Sequence, residues 1–189
     1  MIISEDIFST LFRYLQRFPA EEIRLARLTE ALQLGGGLTA RTEVPGHVTC
    51  TAAVVDPAGE VLVVRHRVLQ RWFMPGGHLE PTDRTLIEAA RRVAQEEAQL
   101  PVAELSAWPG YEQLPVDIDI HPIPANPDRQ EPEHLHYDFR WLFRIDRRPT
   151  VVVQAQEVTD FAWLPVAQVE DELIRVKIEK LLTDSLSLQ

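Results

Sequence analysis

At 189 residues the chain has room for one large domain, or one ordinary domain with an accessory piece, but not for two full catalytic domains. Hydrophobic residues at 45%, charged residues at 25% and a single cysteine, Cys50, exclude a disordered chain, a collagen-like repeat and a disulfide-stapled scaffold. With 29 acidic against 19 basic residues the net charge is −10, a poor footprint for a nucleic-acid backbone, so no nucleic-acid partner is expected.

The opening residues MIISEDIFST carry Glu5 and Asp6 where an export signal would carry basic residues, and no apolar run approaches the roughly 20 residues of a membrane span. With the lone cysteine, these features predict a cytoplasmic protein without a membrane partner. Residues 5–34 read as two helices. Ile7, Leu11, Tyr14 and Leu15 form one apolar stripe, and Ile23, Leu25, Leu28, Ala31 and Leu32 form another after Pro19. Gly35, Gly36 and Gly37, then Pro45 and Gly46, mark a linker. The division expected is an N-terminal helical extension over 1–40, packed on the main domain or on a second copy in a homodimer, followed by a main domain over 41–189.

From His47 the pattern becomes that of strands. VTCTAAVV and EVLVVRHR flank Asp56-Pro57-Ala58-Gly59, which has the Pro and Gly positions of a tight turn. A short run, 71–74, follows, and Phe73 within it reads as core. Pro75-Gly76-Gly77 reads as a turn or a close approach of backbone to ligand. A helix is expected over 85–98, strands near 116–121, 134–145 and 158–163, and a last helix over 166–183. The fold class predicted is α+β, an α/β/α sandwich on a mixed sheet.

Within the 85–98 helix, Thr85 and Glu88 are spaced as a capping box, and Leu86, Ala90 and Val93 define the buried direction. At 100° per residue Glu97 points about 40° to one side of Val93 and Glu96 about 60° to the other. Both carboxylates lie in the last turn, where the helix dipole disfavours anions by a few tenths to about 1 kcal/mol each. A hard cation would explain the pair, and so would a protruding, solvated helix end.

Taken together, residues 75–101 resemble the signature of the Nudix hydrolases, G-x5-E-x7-R-E-U-x-E-E-x-G-U, with U a bulky aliphatic. Gly77 matches the opening glycine and Asp83 stands in for the first glutamate. With one extra residue before the second half, Arg92 is the arginine, Ala94 the aliphatic position, Glu96 and Glu97 the glutamate pair, and Leu100 the closing aliphatic. Strict spacing would put Arg91 in the arginine's place and lose one paired glutamate. Phe161-Ala162-Trp163-Leu164-Pro165 before a final helix is also usual in the family. Two positions depart from the pattern: Val93 replaces the glutamate after the arginine, and Gln99 replaces the late glycine.

The resemblance implies hydrolysis of a nucleoside diphosphate linked to another moiety, by water attack on phosphorus. Glu96, Glu97 and the carbonyl of Gly76 would hold Mg²⁺, with Mn²⁺ as a substitute, and Arg92 would orient a glutamate. Glu157 is the first candidate general base, with Glu80 and Glu133 behind it. Loss of the glutamate at position 93 opens a second reading, a Nudix-fold nucleotide-binding or regulatory module with impaired catalysis.

Residues 133–140 alternate strictly. His134, His136, Asp138 and Arg140 share one strand face and Leu135, Tyr137, Phe139 and Trp141 the other. A proline-rich loop over 121–133, carrying His121 and Arg129, feeds this strand. Recognition of phosphate or ribose, a transition-metal site and a solvated face are the competing roles. A bacterial branch of the Nudix family has a similar HPIPANP…EPxHLHxDxR run, which favours substrate recognition by His121, His134, His136, Asp138 and Arg140.

Overall fold

The computed structural model describes residues 1–127, 130–154, 156 and 158–186. Helices α1 (Ser4–Arg17) and α2 (Ala26–Gln33) open the chain. Strands β1 (Gly46–Val55), β2 (Glu60–His66), β3 (Trp72–Phe73) and β4 (Gly76–His78) precede helix α3 (Leu86–Ala98). Strands β5 (Ser106–Ala107), β6 (Asp117–Ile123), β7 (His134–Arg144) and β8 (Val158–Pro165) then lead to helix α4 (Glu172–Leu186). No helix among the described residues is long and apolar enough to cross a membrane.

All eight strands join one mixed sheet. Strand β1 runs parallel to β7, while β4 pairs antiparallel with the first half of β1 and β6 antiparallel with β7. Paired residues share a face, so the registers lay out rows across the sheet. His121, His136 and His47 form one row. Asp119, Asp138, Thr49 and His78 form the next, and Asp117, Arg140, Thr51 and Gly76 a third. Beyond the third row the same face turns apolar at Leu142, Ala53 and Val55, which pack under Ile174 and Ile178 of α4.

On the opposite face β1 and β7 are apolar. Val48, Cys50, Ala52 and Val54 of β1 meet Tyr137, Phe139, Trp141 and Phe143 of β7, under Leu86, Ala89, Ala90 and Ala94 of α3. The expected alternation along β7 is therefore real. Both of its faces are covered, since His134, Asp138 and Arg140 are buried as well.

Ile7 and Leu11 of α1, together with Leu25 and Leu28, belong to this same apolar cluster. The polar anchor of the hairpin is Asp117, which is fully buried. Lys177 donates to it at 2.7 Å and Arg24 at 3.2 Å, and Lys177 also reaches Tyr14 Oη at 2.6 Å and Glu21 at 2.6 Å. Burial works against ionised Glu21, but the donors Lys177, Tyr14 and Arg24 outweigh it and hold this carboxyl below its ordinary range. Arg24 also donates to the Ile118 carbonyl at 2.6 Å, so the hairpin covers β6, a strand edge that would otherwise invite pairing with another chain.

Three expectations change. Gly76-Gly77 is a strand rather than a turn, because their backbone pairs with Thr51 and Cys50. Phe73 is 36% exposed rather than core, since β3 has only β2 beside it among the described residues. The last helix begins at Glu172, six residues late, because Val166–Gln168 turn as a separate 3-10 helix after Pro165. Trp108, which no pattern located, is buried under α4 with Tyr111.

Candidate active site

Helix α3 starts where the sequence requires, with the Thr85 side chain accepting from Glu88 N at 3.2 Å. Its buried direction is the one predicted, with Leu86, Ala90 and Val93 nearly inaccessible. Glu96 is exposed and Glu97 half-buried at its end. Arg92 Nε and Nη2 donate to the two oxygens of Asp83, each at 2.9 Å, and Nη1 donates to Glu96 Oε2 at 2.8 Å. Nη2 also donates to the His78 carbonyl at 2.8 Å. Such a two-pronged pair fixes the guanidinium plane and therefore the Glu96 carboxylate. Arg91 points elsewhere, to the Leu105 carbonyl and the face of Phe143. The structure thus brings Arg92, not Arg91, to Asp83. Asp83 has a second function: its Oδ2 accepts from Glu80 N at 2.7 Å and closes the loop before the helix.

Glu97 reaches the sheet, its Oε2 accepting from Gly76 N at 3.2 Å. Gly76 has no room for a side chain, because a Cβ there would stand 2.7 Å from Thr51 Oγ1, which donates to Asp138. A Cβ on Gly77 would meet Val93 at 3.1 Å. Val93 therefore fills the space beneath the strand where the family motif has a carboxylate.

A cleft of about 280 Å³ opens along this edge of β4, lined by Gly76, Gly77, Glu80, Glu96, Glu97 and His78 among others. Arg41 and Gln154 also line it, and sequence reasoning missed both because they approach from loops distant in the chain. Hard oxygen donors from Glu80, Glu96 and Glu97 facing one cleft suit Mg²⁺ or Mn²⁺. Glu157 lies outside the described residues, and Glu133 is exposed.

The histidine face continues from the cleft through His78. Its ring lies 5.0 Å from that of His47 and 5.1 Å from that of His136. His134 and His121 join within 5.2 and 5.5 Å of His136. Burial, then the neighbouring imidazoles, push His136 down to about 3 and His78 to about 4, so both are neutral near pH 7. His47 and His78 had no assigned role in the sequence. The signal was present only as strand parity, His47 preceding Thr49 and Thr51 at alternate positions.

Asp138 and Arg140, expected at a substrate surface, are engaged inside the protein. Arg140 donates to Asp138, Asp117 and Asp119 at 3.0–3.2 Å and lies 2.8 Å from Asp171. Asp138 also accepts from Thr49 and Thr51 at 3.1 and 2.8 Å. His121 is partly exposed, its Nδ1 2.8 Å from Asp119.

Gln99, at the motif's late glycine, caps α3 with φ 49° and ψ 33°. A side chain in this left-handed region costs about 1 kcal/mol. Gln99→Gly is expected to raise Tm by about 2–4 °C, as measured by calorimetry.

No curated protein matches the chain. Among solved structures, a C. elegans Ap4A hydrolase binary complex is similar at a TM-score of 0.56 and 15% identity, over 75% of this chain and 98% of that one. The E. coli dihydroneopterin triphosphate pyrophosphohydrolase gives 0.52 and 16%, over 72% and 95%. A NUDIX-family hydrolase from Clostridium perfringens gives 0.50 and 18%, over 72% and 96%. These likenesses concern the fold. The NUDIX domain model matches residues 45–184, the span that holds the sheet, the Asp83–Arg92 pair and the two helix-end glutamates, and so the chain belongs to the NUDIX family.

Proposed function

We propose that the protein is a pyrophosphohydrolase that uses Mg²⁺, or Mn²⁺ in its place, to cleave a nucleoside-diphosphate-linked substrate. The observation that carries this reading is the convergence of Glu80, Glu96 and Glu97 on one cleft, with Glu96 and Glu97 in the last turn of a helix whose dipole disfavours them. Arg92 and the Gly76 N–H each hold one of the carboxylates, and a hard cation would offset the remaining negative charge. The names of two structural relatives, an Ap4A hydrolase and a triphosphate pyrophosphohydrolase, point to the same chemistry.

In this reading Glu96 and Glu97 hold the cation, with the Gly76 carbonyl beside them. A bound divalent ion supplies positive charge against the phosphate oxygens and lowers the pKa of water. Arg92 positions Glu96 and touches no substrate. Glu80, which is half-exposed in the cleft, is placed to take the proton of the attacking water, and Glu157 is the other candidate. The attacking oxygen forms a bond to phosphorus, and the bridging oxygen leaves with the departing phosphate. Arg41 and His78 line the approach for the substrate's polar groups, with His121 further along the same face. His134 and His136 extend that face, while Asp138 and Arg140 continue it in the adjacent buried rows.

A panel of nucleoside triphosphates, dinucleoside polyphosphates and nucleotide sugars, assayed with and without Mg²⁺, tests the reading. Cation-dependent release from at least one member is expected, and silence across the panel overturns catalysis.

Val93 favours one alternative, a binding module whose catalysis has decayed. Val93→Glu discriminates. The new carboxylate would be buried under Gly77, so without cation the variant should be about 1–3 kcal/mol less stable than wild type. If the cleft binds Mg²⁺, adding the ion should restore most of that loss and raise turnover. Tight nucleotide binding with no turnover in either protein would support the module instead.

A further inference from the structure

The histidine face has its own unexplained chemistry, separate from the acidic cleft. His47 is 1% exposed, and its Nε2 is buried without a hydrogen-bond partner among the described residues. Its Nδ1 lies 3.3 Å from the Glu43 carbonyl. His134 has the same arrangement, with Nδ1 2.8 Å from the Pro132 carbonyl. A carbonyl can only accept, so in both rings Nδ1 carries a proton, which in the neutral ring leaves the lone pair on Nε2. Backbone carbonyls that fix the tautomer in this way are the usual support for metal-binding imidazoles.

One ring nitrogen from each of His47, His134 and His136 lies within 4.8 Å of the other two. Two nitrogens on one tetrahedral ion, each about 2.0–2.1 Å from it, stand about 3.3–3.4 Å apart. His134 Nε2 and His136 Nε2 are already separated by 3.3 Å. A single N–H···N bond would account for that pair, but it leaves the buried Nε2 of His47 with nothing. An ion shared by the three accounts for all of them.

We propose that His47, His134 and His136 form a binding site for a borderline divalent transition-metal ion, Zn²⁺ or one of its class, distinct from the carboxylate cleft. Imidazole nitrogens on a rigid sheet suit such an ion and not Mg²⁺, which takes oxygen donors. The ligands come from paired strands, His47 of β1 opposite His136 of β7, so they are set by the sheet rather than by a loop. Three protein donors leave one tetrahedral position for water or for an oxygen of a ligand entering past His78. The proposal shares His134 and His136 with the face read above as the substrate approach, but it does not rest on that reading, because none of its ligands is a glutamate of the cleft.

The test is a titration of chelator-stripped, full-length protein with Co²⁺ and then Zn²⁺, in excess Mg²⁺. One equivalent of Co²⁺ should give the visible absorption of a tetrahedral nitrogen site, and one equivalent of Zn²⁺ should displace it. His47→Gln and His134→Gln should each weaken Zn²⁺ binding at least about 100-fold, while Glu97→Gln and His121→Ala bind as wild type. Should His47→Gln fail to fold, His136→Gln, at a half-buried position, replaces it. Absence of the cobalt spectrum together with a zinc Kd weaker than about 10 µM overturns the site. So does binding that survives the histidine variants or disappears in Glu97→Gln, which would put the ion in the cleft.

Discussion

Arg140→Met is expected to be the most destabilising of the substitutions considered, at about 3–5 kcal/mol, with a fall in Tm of roughly 6–20 °C. The arginine is 8% exposed and stands among Asp117, Asp119, Asp138 and Asp171. Asp117 and Asp119 keep Arg24 nearby, and Asp117 keeps Lys177. Asp138 is left with two threonine hydroxyls and no cation among the described residues. A buried charge stripped of its partner costs far more than the pair contributed. The double variant Arg140→Met/Asp138→Asn should recover part of the loss, which urea denaturation of the four proteins in the cycle measures. A single-variant loss below about 1 kcal/mol would mean that solvent reaches these carboxylates.

Glu97→Gln is expected to lower cation-dependent turnover by at least about 100-fold, equivalent to about 2.7 kcal/mol of barrier. Its stability should stay within about 0.5 kcal/mol of wild type, because the amide oxygen still accepts from Gly76 N. The separation of the two readouts is the point. A carboxylate that serves only to tether the helix end would show neither loss, and one that serves the fold through its charge would show both. Steady-state kinetics at saturating Mg²⁺, beside a thermal melt, distinguishes the three cases.

Much of the local structure was legible because it rests on short-range patterns. Thr85 and Glu88 announced the start of α3, and Leu86, Ala90 and Val93 gave its buried direction from the helical period alone. Strand alternation gave the two faces of β7. The register that keeps both glutamates uses Arg92, and Arg92 is the residue that grips Asp83. Composition and charge argued only against a nucleic-acid partner; a phosphorylated substrate and a cation were implied by the motif's resemblance.

The partners across the sheet were not legible. Gly76-Gly77 read as a turn because two glycines have no strand preference of their own, and only pairing with β1 makes them one. Arg140 and Asp138 looked like a substrate surface because a sequence shows that a residue is charged but not that other charges meet it. Asp117, some 20 positions earlier, and Asp171, some 30 later, were brought there by register and by α4. The same holds for the histidines. The sequence placed His134 and His136 on one face through the two-residue period of a strand, while His47 and His78 arrived by interstrand pairing. Local periodicity decides which way a side chain faces. Which other side chains it faces is a long-range fact, determined here by the parallel alignment of β1 with β7.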